Sequence, residues 1–155
     1  MTATSAVGVD IACRPAGGSA FPERLVVGVD GSENSLRALD LAATIACRNG
    51  SAVTVAFVRH PPIVAGTVTI DWSAVFAPIE QEIAEAARER LAGLRWRLLV
   101  TDGAPALELE RIAGEAGADL LVLGRSDGSL VHRLFSGSVG GHAATHAPVP
   151  VLVIR

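Results

Sequence analysis

The residues best suited to chemistry in this sequence form a glycine- and serine-rich segment that follows an apolar run. The segment opens as Gly124-Arg125-Ser126-Asp127-Gly128 and, after a loop, continues as Gly137-Ser138-Val139. Glycines let a backbone approach a phosphate closely, and the N–H groups at the start of a helix point outward toward anions. The segment therefore predicts a phosphate site. An ordinary glycine-rich turn with a serine cap explains the same residues about equally well.

The absence of lysine restricts the chemistry of such a site. All 13 basic residues are arginines, which excludes a Walker lysine, a Schiff-base lysine and a kinase-type strand lysine. Any phosphate must then be held by backbone N–H groups, hydroxyls, arginine or a metal ion. His142 and His146 are four residues apart, but no third ligand is close to them in sequence, so we predict no resident metal site.

A second candidate, Asp30, directly follows the apolar run from Leu25 to Val29. The run predicts a buried strand, and Ser32 predicts the N-cap of a following helix. Asp30 would then lie at the carboxyl end of that strand. There it is either a turn residue that satisfies local N–H groups or a ligand-binding residue.

Alternating strand and helix patterns surround these candidates. Apolar runs predict four strands, at residues 25–29, 52–58, 120–123 and 149–154, and the alternation of Trp96, Leu98 and Val100 predicts an edge strand at residues 96–101. Helical periodicity predicts helices between them, the last of them short and opening at Gly137-Ser138. Right-handed crossovers turn this order into a single doubly wound α/β domain with helices on both faces of a parallel sheet. Ligands bind such sheets beyond the carboxyl ends of the strands, so the segments after Val29, Val58 and Leu123 are the place to look.

Composition indicates where the domain begins, which partners it lacks and where the protein is located. Residues 1–23 are rich in small residues and predict a flexible N-terminal tail, which leaves residues 24–155 as the domain. The formal charge of −3 includes no basic block, so no nucleic-acid partner is expected. No apolar run reaches the about 18 residues needed to cross a membrane, and no secretory leader opens the chain. We therefore expect no membrane partner and a cytoplasmic location.

Several segments together resemble the universal stress protein family, and the resemblance runs from Arg24 to the end of the chain. The matching segments are Asp30-Gly31-Ser32, Gly103-Ala104-Pro105, residues 118–124, Gly137-Ser138-Val139 and residues 146–153. The resemblance implies a five-stranded sheet, for which we expect the strand order 3-2-1-4-5. It also implies a stress-response protein that is usually a homodimer and, in one branch of the family, binds ATP.

The ATP-binding branch carries the pattern G-x2-G-x9-G-[ST], and the spacing from Gly124 to Gly137-Ser138 fits it without a gap. Asp127 replaces the middle glycine, and Gly128 follows it. An aspartate carboxylate near phosphates repels them unless it turns away, pairs with an arginine or binds a divalent ion. The resemblance implies ATP or AMP as the ligand, alone or with Mg²⁺. The positions it carries over as nucleotide-binding are Gly28, Asp30, Val58, Leu123, Gly124, Asp127, Gly128, Gly137, Ser138 and Val139.

Three functions remain open on the sequence. The first is a regulatory protein that holds an adenine nucleotide without efficient turnover. The second is a dimeric interaction protein that has lost nucleotide binding through Asp127. The third is an enzyme on the same fold, which is disfavoured because the SGGxDS-type loop and HIGH-type signatures of such ligases are absent. The resemblance further implies a homodimer through the last strand, at Val151, Leu152, Val153 and Ile154, whose apolar edge would otherwise be exposed.

Overall fold

The computed structural model describes residues 21–61, 69–125 and 149–155, in which strands and helices alternate. The elements are β1 (Arg24–Gly28), α1 (Glu33–Asn49), β2 (Ala52–Arg59), α2 (Trp72–Arg90), β3 (Trp96–Asp102), α3 (Pro105–Glu115), β4 (Leu120–Gly124) and β5 (Val151–Ile154). The short helix predicted to open at Gly137-Ser138 lies outside the described residues.

All five strands form one parallel sheet in the order β3-β2-β1-β4-β5, which confirms the predicted doubly wound order. β1 is central: Gly28 lies opposite Ala56 of β2 on one side and Leu123 of β4 on the other. A strand that is buried on both faces must be apolar throughout, and Leu25 to Val29 meets that requirement.

Helices cover both faces of the sheet. On one face α1 and α2 pack over Val27, Val55 and the alternate residues of β3, which gives the larger of two apolar clusters. On the other face α3 buries Leu109 and Ile112 against a second cluster. Successive side chains of a strand point to opposite faces, so the aliphatic strands supply both clusters at once.

Local signals in the sequence fix the helix ends. The Ser32 hydroxyl accepts from the Ser35 N–H at the start of α1, and Gly50 ends that helix in the left-handed region at φ 70°. The Asp71 carboxylate accepts from the N–H groups of Ser73 and Ala74 at the start of α2. Capping of this kind satisfies N–H groups that have no partner inside the helix.

Strands β1 to β4 begin and end within one residue of the predicted bounds, whereas β5 begins two residues late. β5 begins at Val151 and not at Val149, since Pro150 has no N–H to give to a ladder, although its carbonyl accepts from the Leu121 N–H at 2.9 Å. The last residues of the predicted tail contact the domain: Pro22 is buried and the Glu23 carbonyl accepts from the Ala52 N–H at 2.8 Å. The rest of the predicted tail, residues 1–20, lies outside the described residues.

Within the described ranges, none of the helices combines the length and the apolar character that crossing a bilayer requires.

Candidate functional site

The central strand ends before its neighbour, which opens a notch at the carboxyl ends of the strands. β1 ends at Gly28 opposite Ala56, whereas β2 continues for three more residues to Arg59. On the other side β4 ends at Gly124, one residue past the partner of Gly28. We call this end of the sheet, where β1, β2 and β4 finish, the carboxyl edge. The helices after β1 and before β4 cover opposite faces, so it is a topological switch point of the kind at which ligands bind.

The peptide groups of Val58 point into this notch. The Ala56 carbonyl accepts from Val29 of the β1 segment at 2.9 Å, while the Arg59 carbonyl accepts from Gly103, beyond β3, at 3.0 Å. Alternate residues of a parallel strand direct their N–H and C=O groups to opposite neighbours. Val58 therefore directs both groups toward the β1 side, where β1 has already ended. Its side chain is half-buried.

Asp30 lies at the end of β1, in the turn to α1, and half of its carboxylate is occupied there. Its Oδ1 accepts from the Ser32 N–H at 2.9 Å, and its own N–H donates to the Ser35 hydroxyl at 3.3 Å. Gly31 between them has φ +85°, a conformation that favours glycine. The second oxygen, Oδ2, has no hydrogen-bond partner within the described part of the chain. The carboxylate thus shapes the turn and keeps one acceptor free at the same time.

Two glycines predicted to line a nucleotide have packing reasons of their own. A Cβ at Gly124 would lie 2.3 Å from the Asn34 carbonyl oxygen, because the first turn of α1 crosses directly over it. A Cβ at Gly28 would lie 2.6 Å from Leu123 Cδ2, on the face that α3 covers. These contacts explain glycine at both positions without any ligand. Direct contact of either glycine, or of buried Leu123, with a nucleotide stays a prediction.

A cluster of paired charges borders the notch, and no local pattern in the sequence predicts it. The Arg59 guanidinium contacts Asp102 of β3 at 2.7 Å and Glu80 of α2 at 3.2 Å. The hydrogen bond with Asp102, more than its charge or that of Glu80, raises the pKa of Arg59. The Arg59 Nε is buried and has no hydrogen-bond partner among the described residues. Strand pairing places Arg59 opposite Asp102, which the linear sequence separates by 43 positions.

The predicted phosphate segment cannot be placed in the same way. Asp127, Gly128, Gly137, Ser138 and Val139 lie outside the described residues, as do His142 and His146. The structure does show where the segment starts: the Arg125 N–H donates to the Ile154 carbonyl at 2.6 Å, and the Asn34 amide donates to the Arg125 carbonyl. The chain therefore leaves β4 beside the first turn of α1, at the carboxyl edge.

Comparison with known proteins agrees with this architecture. The model of the universal stress protein family matches residues 22–155. Universal stress protein Rv1636 of Mycobacterium tuberculosis is 36% identical over 141 residues, which cover 84% of this chain and 94% of that protein. Universal stress protein YxiE of Bacillus subtilis is 27% identical over 147 residues, covering 85% and 98%.

Solved structures give the same result. A universal stress protein in complex with cAMP superposes with a TM-score of 0.64 at 30% identity, covering 86% of this chain and 96% of that one. The universal stress protein of Archaeoglobus fulgidus in complex with dAMP has a TM-score of 0.59 at 25% identity, covering 88% and 100%. With its strand order, its switch point and a family match over nearly all of the described residues, this chain belongs to the universal stress protein family.

Proposed function

We propose that this protein binds an adenine nucleotide, ATP or AMP, at the carboxyl edge and holds it as a regulatory ligand without efficient turnover. The observation that carries the proposal is a pair of groups in the notch that have no hydrogen-bond partner among the described residues: the Val58 peptide, which faces past the end of β1, and the Asp30 Oδ2. The relatives solved with cAMP and with dAMP support an adenine nucleotide as the ligand class.

The free groups match the uncharged parts of a nucleotide. An adenine ring offers a donor amino group next to a ring-nitrogen acceptor, which is complementary to a peptide that presents C=O and N–H side by side. A ribose hydroxyl would donate to the Asp30 Oδ2. Both contacts would need little rearrangement, because the Ser32 N–H already fixes the Asp30 side chain.

The phosphates would lie toward the segment that follows Gly124, where Gly128, Gly137, Ser138 and Val139 are the predicted contacts. Asp127 adds a carboxylate there, and no lysine offsets it. We therefore propose weak binding of free ATP and tighter binding in the presence of Mg²⁺, which would bridge the carboxylate and the phosphates. A role in the stress response and a cytoplasmic location belong to the same proposal.

Titration calorimetry with adenosine, AMP and ATP tests the proposal. Asp30→Asn keeps an oxygen for the Ser32 N–H but removes the charged acceptor, so adenosine binding should weaken by about tenfold, equivalent to about 1.4 kcal/mol. Glu82→Gln, an exposed site on α2 with the same change of charge, is the matched control and should leave affinity within about twofold. No binding of any of the three ligands, or equal losses in the two variants, would refute the site.

We further propose that two copies of the chain associate through β5. The strand order leaves β5 at the edge of the sheet, and Leu152 on it is 36% exposed. An uncovered apolar edge strand favours pairing with another strand. Light scattering at micromolar concentration should give a dimer for the natural chain and a monomer for Leu152→Arg. A monomeric natural chain would contradict the proposal.

A further inference from the structure

A cavity lies at the opposite end of the sheet from the carboxyl edge, where β1, β2 and β3 begin. Its volume is about 270 Å³ and its lining includes Arg24, Ala52, Thr54, Arg95, Arg97 and Ala116. We call it the basic cavity. Strand register brings its wall together, since Arg24 pairs with Ala52 and Thr54 pairs with Arg97. The end of α3, at Ala116, closes one side.

Two of the three arginines of the basic cavity donate to neutral groups. The Arg97 Nε donates to the Thr54 hydroxyl at 3.1 Å, and an Arg95 Nη donates to the Gly50 carbonyl at 2.8 Å. Arg24 lies over Gly117, where a Cβ would come within 2.7 Å of its Nη1. The bonds of Arg95 and Arg97 orient those guanidinium groups and leave their other N–H groups without a partner among the described residues.

These arginines differ from others in the described part of the chain. Arg37, Arg59, Arg90 and Arg111 each contact a carboxylate within 4 Å, whereas Arg24, Arg95 and Arg97 have no such contact there. The nearby carboxylate of Asp119 accepts through its Oδ2 from two backbone N–H groups, those of Glu23 and Arg24 at 2.8 and 3.0 Å, and makes no ion pair with a described arginine. Other described arginines also have no carboxylate partner among the described residues, but they do not line the cavity: Arg48, Arg88, Arg125 and Arg155.

We infer that the basic cavity binds a small, multiply charged oxyanion, of the phosphoryl class, as a second site separate from the proposed nucleotide site. Three arginines contribute to the lining of one concave surface, beside apolar residues that include Val53 and Trp96, and their charges raise the local concentration of anions. Guanidinium groups suit this chemistry because their planar N–H pairs match the oxygens of a phosphoryl group. The volume is slightly below the usual range of ligand pockets, about 300–1,000 Å³, so the ligand must be small.

Inorganic pyrophosphate is the probe for this site, titrated into the full chain at low ionic strength and followed by calorimetry. Arg97→Gln and, separately, Arg95→Gln should each weaken binding by about fivefold to tenfold, where tenfold corresponds to about 1.4 kcal/mol. Arg88→Gln removes one charge outside the cavity and should change the affinity by less than about twofold. Circular dichroism melts of each variant would confirm that it is folded.

Competition separates this inference from the proposed nucleotide site. Pyrophosphate affinity should be unchanged when the protein is first saturated with adenosine, which carries no phosphoryl group, since the two sites lie at opposite ends of the sheet. Pyrophosphate binding that is lost on addition of ATP but unaffected by Arg97→Gln would place the probe at the carboxyl edge and overturn the inference. So would absence of binding, or equal losses in Arg88→Gln and Arg97→Gln. If pyrophosphate binding depends on Arg97 and no adenine compound binds, only the proposed nucleotide site is contradicted.

Discussion

At the carboxyl edge Arg59 contacts two carboxylates, whereas at the other end of the same sheet Arg95 and Arg97 contact a carbonyl and a hydroxyl. At the carboxyl edge the Arg59 charge is therefore paired with carboxylates. The groups left to bind a ligand there are the Val58 peptide and one oxygen of Asp30, which suit a base and a sugar. In the basic cavity the arginines have no carboxylate contact among the described residues, which suits the binding of an anion. The two ends of one domain therefore differ in the ligand chemistry they offer, although both are built from the ends of the same strands.

The largest expected effect comes from closing the carboxyl edge at Gly124. In Gly124→Ala the new methyl would meet the backbone of α1 at 2.3 Å, and a helix backbone cannot rotate away as a side chain can. We expect the free energy of unfolding to fall by about 3 kcal/mol, at the upper end of overpacking costs. Urea denaturation followed by circular dichroism measures it.

Gly114→Ala is the matched control, because a Cβ there meets nothing within 4 Å. Alanine favours the helix, so this variant should gain about 0.5–1 kcal/mol. If Gly124→Ala is as stable as Gly114→Ala, the backbone of α1 does not lie close enough to Gly124 to exclude a methyl group.

The next effect is on ligand affinity at the same edge, through Asp127. A carboxylate close to phosphates costs on the order of 1 kcal/mol even in bulk water. Asp127→Gly should therefore bind ATP about tenfold more tightly, a gain of about 1.4 kcal/mol, with a smaller gain when Mg²⁺ is present. Titration calorimetry of ATP into the natural chain and into Asp127→Gly measures the difference in affinity, with Glu82→Gln as the control for net charge. An unchanged or lower affinity would mean that the carboxylate does not face phosphate.

A smaller effect is expected from removing the cation of the cluster of paired charges. Arg59→Met keeps an unbranched apolar stem but leaves Glu80 and Asp102 without their shared partner. The free energy of unfolding should fall by more than for an exposed ion pair, since the Arg59 side chain is only 24% exposed and its ion pairs join three elements.

Arg37→Met is the comparison for that variant, because its pair with Glu33 is solvent-exposed within one helix and should cost less than about 0.5 kcal/mol. Equal losses in the two variants would show that Arg59 is no more than a surface ion pair.

The smallest effect is a pH dependence at Glu108, also near the carboxyl edge. A hydrogen bond from Arg111, followed by one from Thr101, lowers the pKa of Glu108 in the folded protein. A lowered pKa contributes stability above the unfolded pKa of about 4.3, and that contribution is lost as the pH falls through the folded value. The stability difference between the natural chain and Glu108→Gln should therefore shrink between about pH 5 and pH 3. A difference that stays constant over that range would contradict it.

Much of the fold was predictable from local patterns. Continuous apolar runs identified four of the five strands, because a parallel strand covered on both faces admits little else, and the alternation of Trp96, Leu98 and Val100 identified the third strand in the chain. Ser32, Gly50 and Pro105 marked helix ends through backbone requirements that act within one turn. The position of Asp30 followed from the same reasoning, since it directly follows a buried run.

Contacts that depend on strand register were decided only by the tertiary structure. Nothing local indicates that Arg59 would meet Asp102, or that Arg24, Arg95 and Arg97 would meet at one cavity, because the sheet brings together residues tens of positions apart. The roles of Gly28 and Gly124 also needed the fold. In the sequence they look like residues that make room for a ligand, whereas the structure shows them making room for Leu123 and for the first turn of α1. The sequence by itself determined which elements form, through apolar periodicity and capping, and the tertiary structure decided which charges find partners, through the register of neighbouring strands.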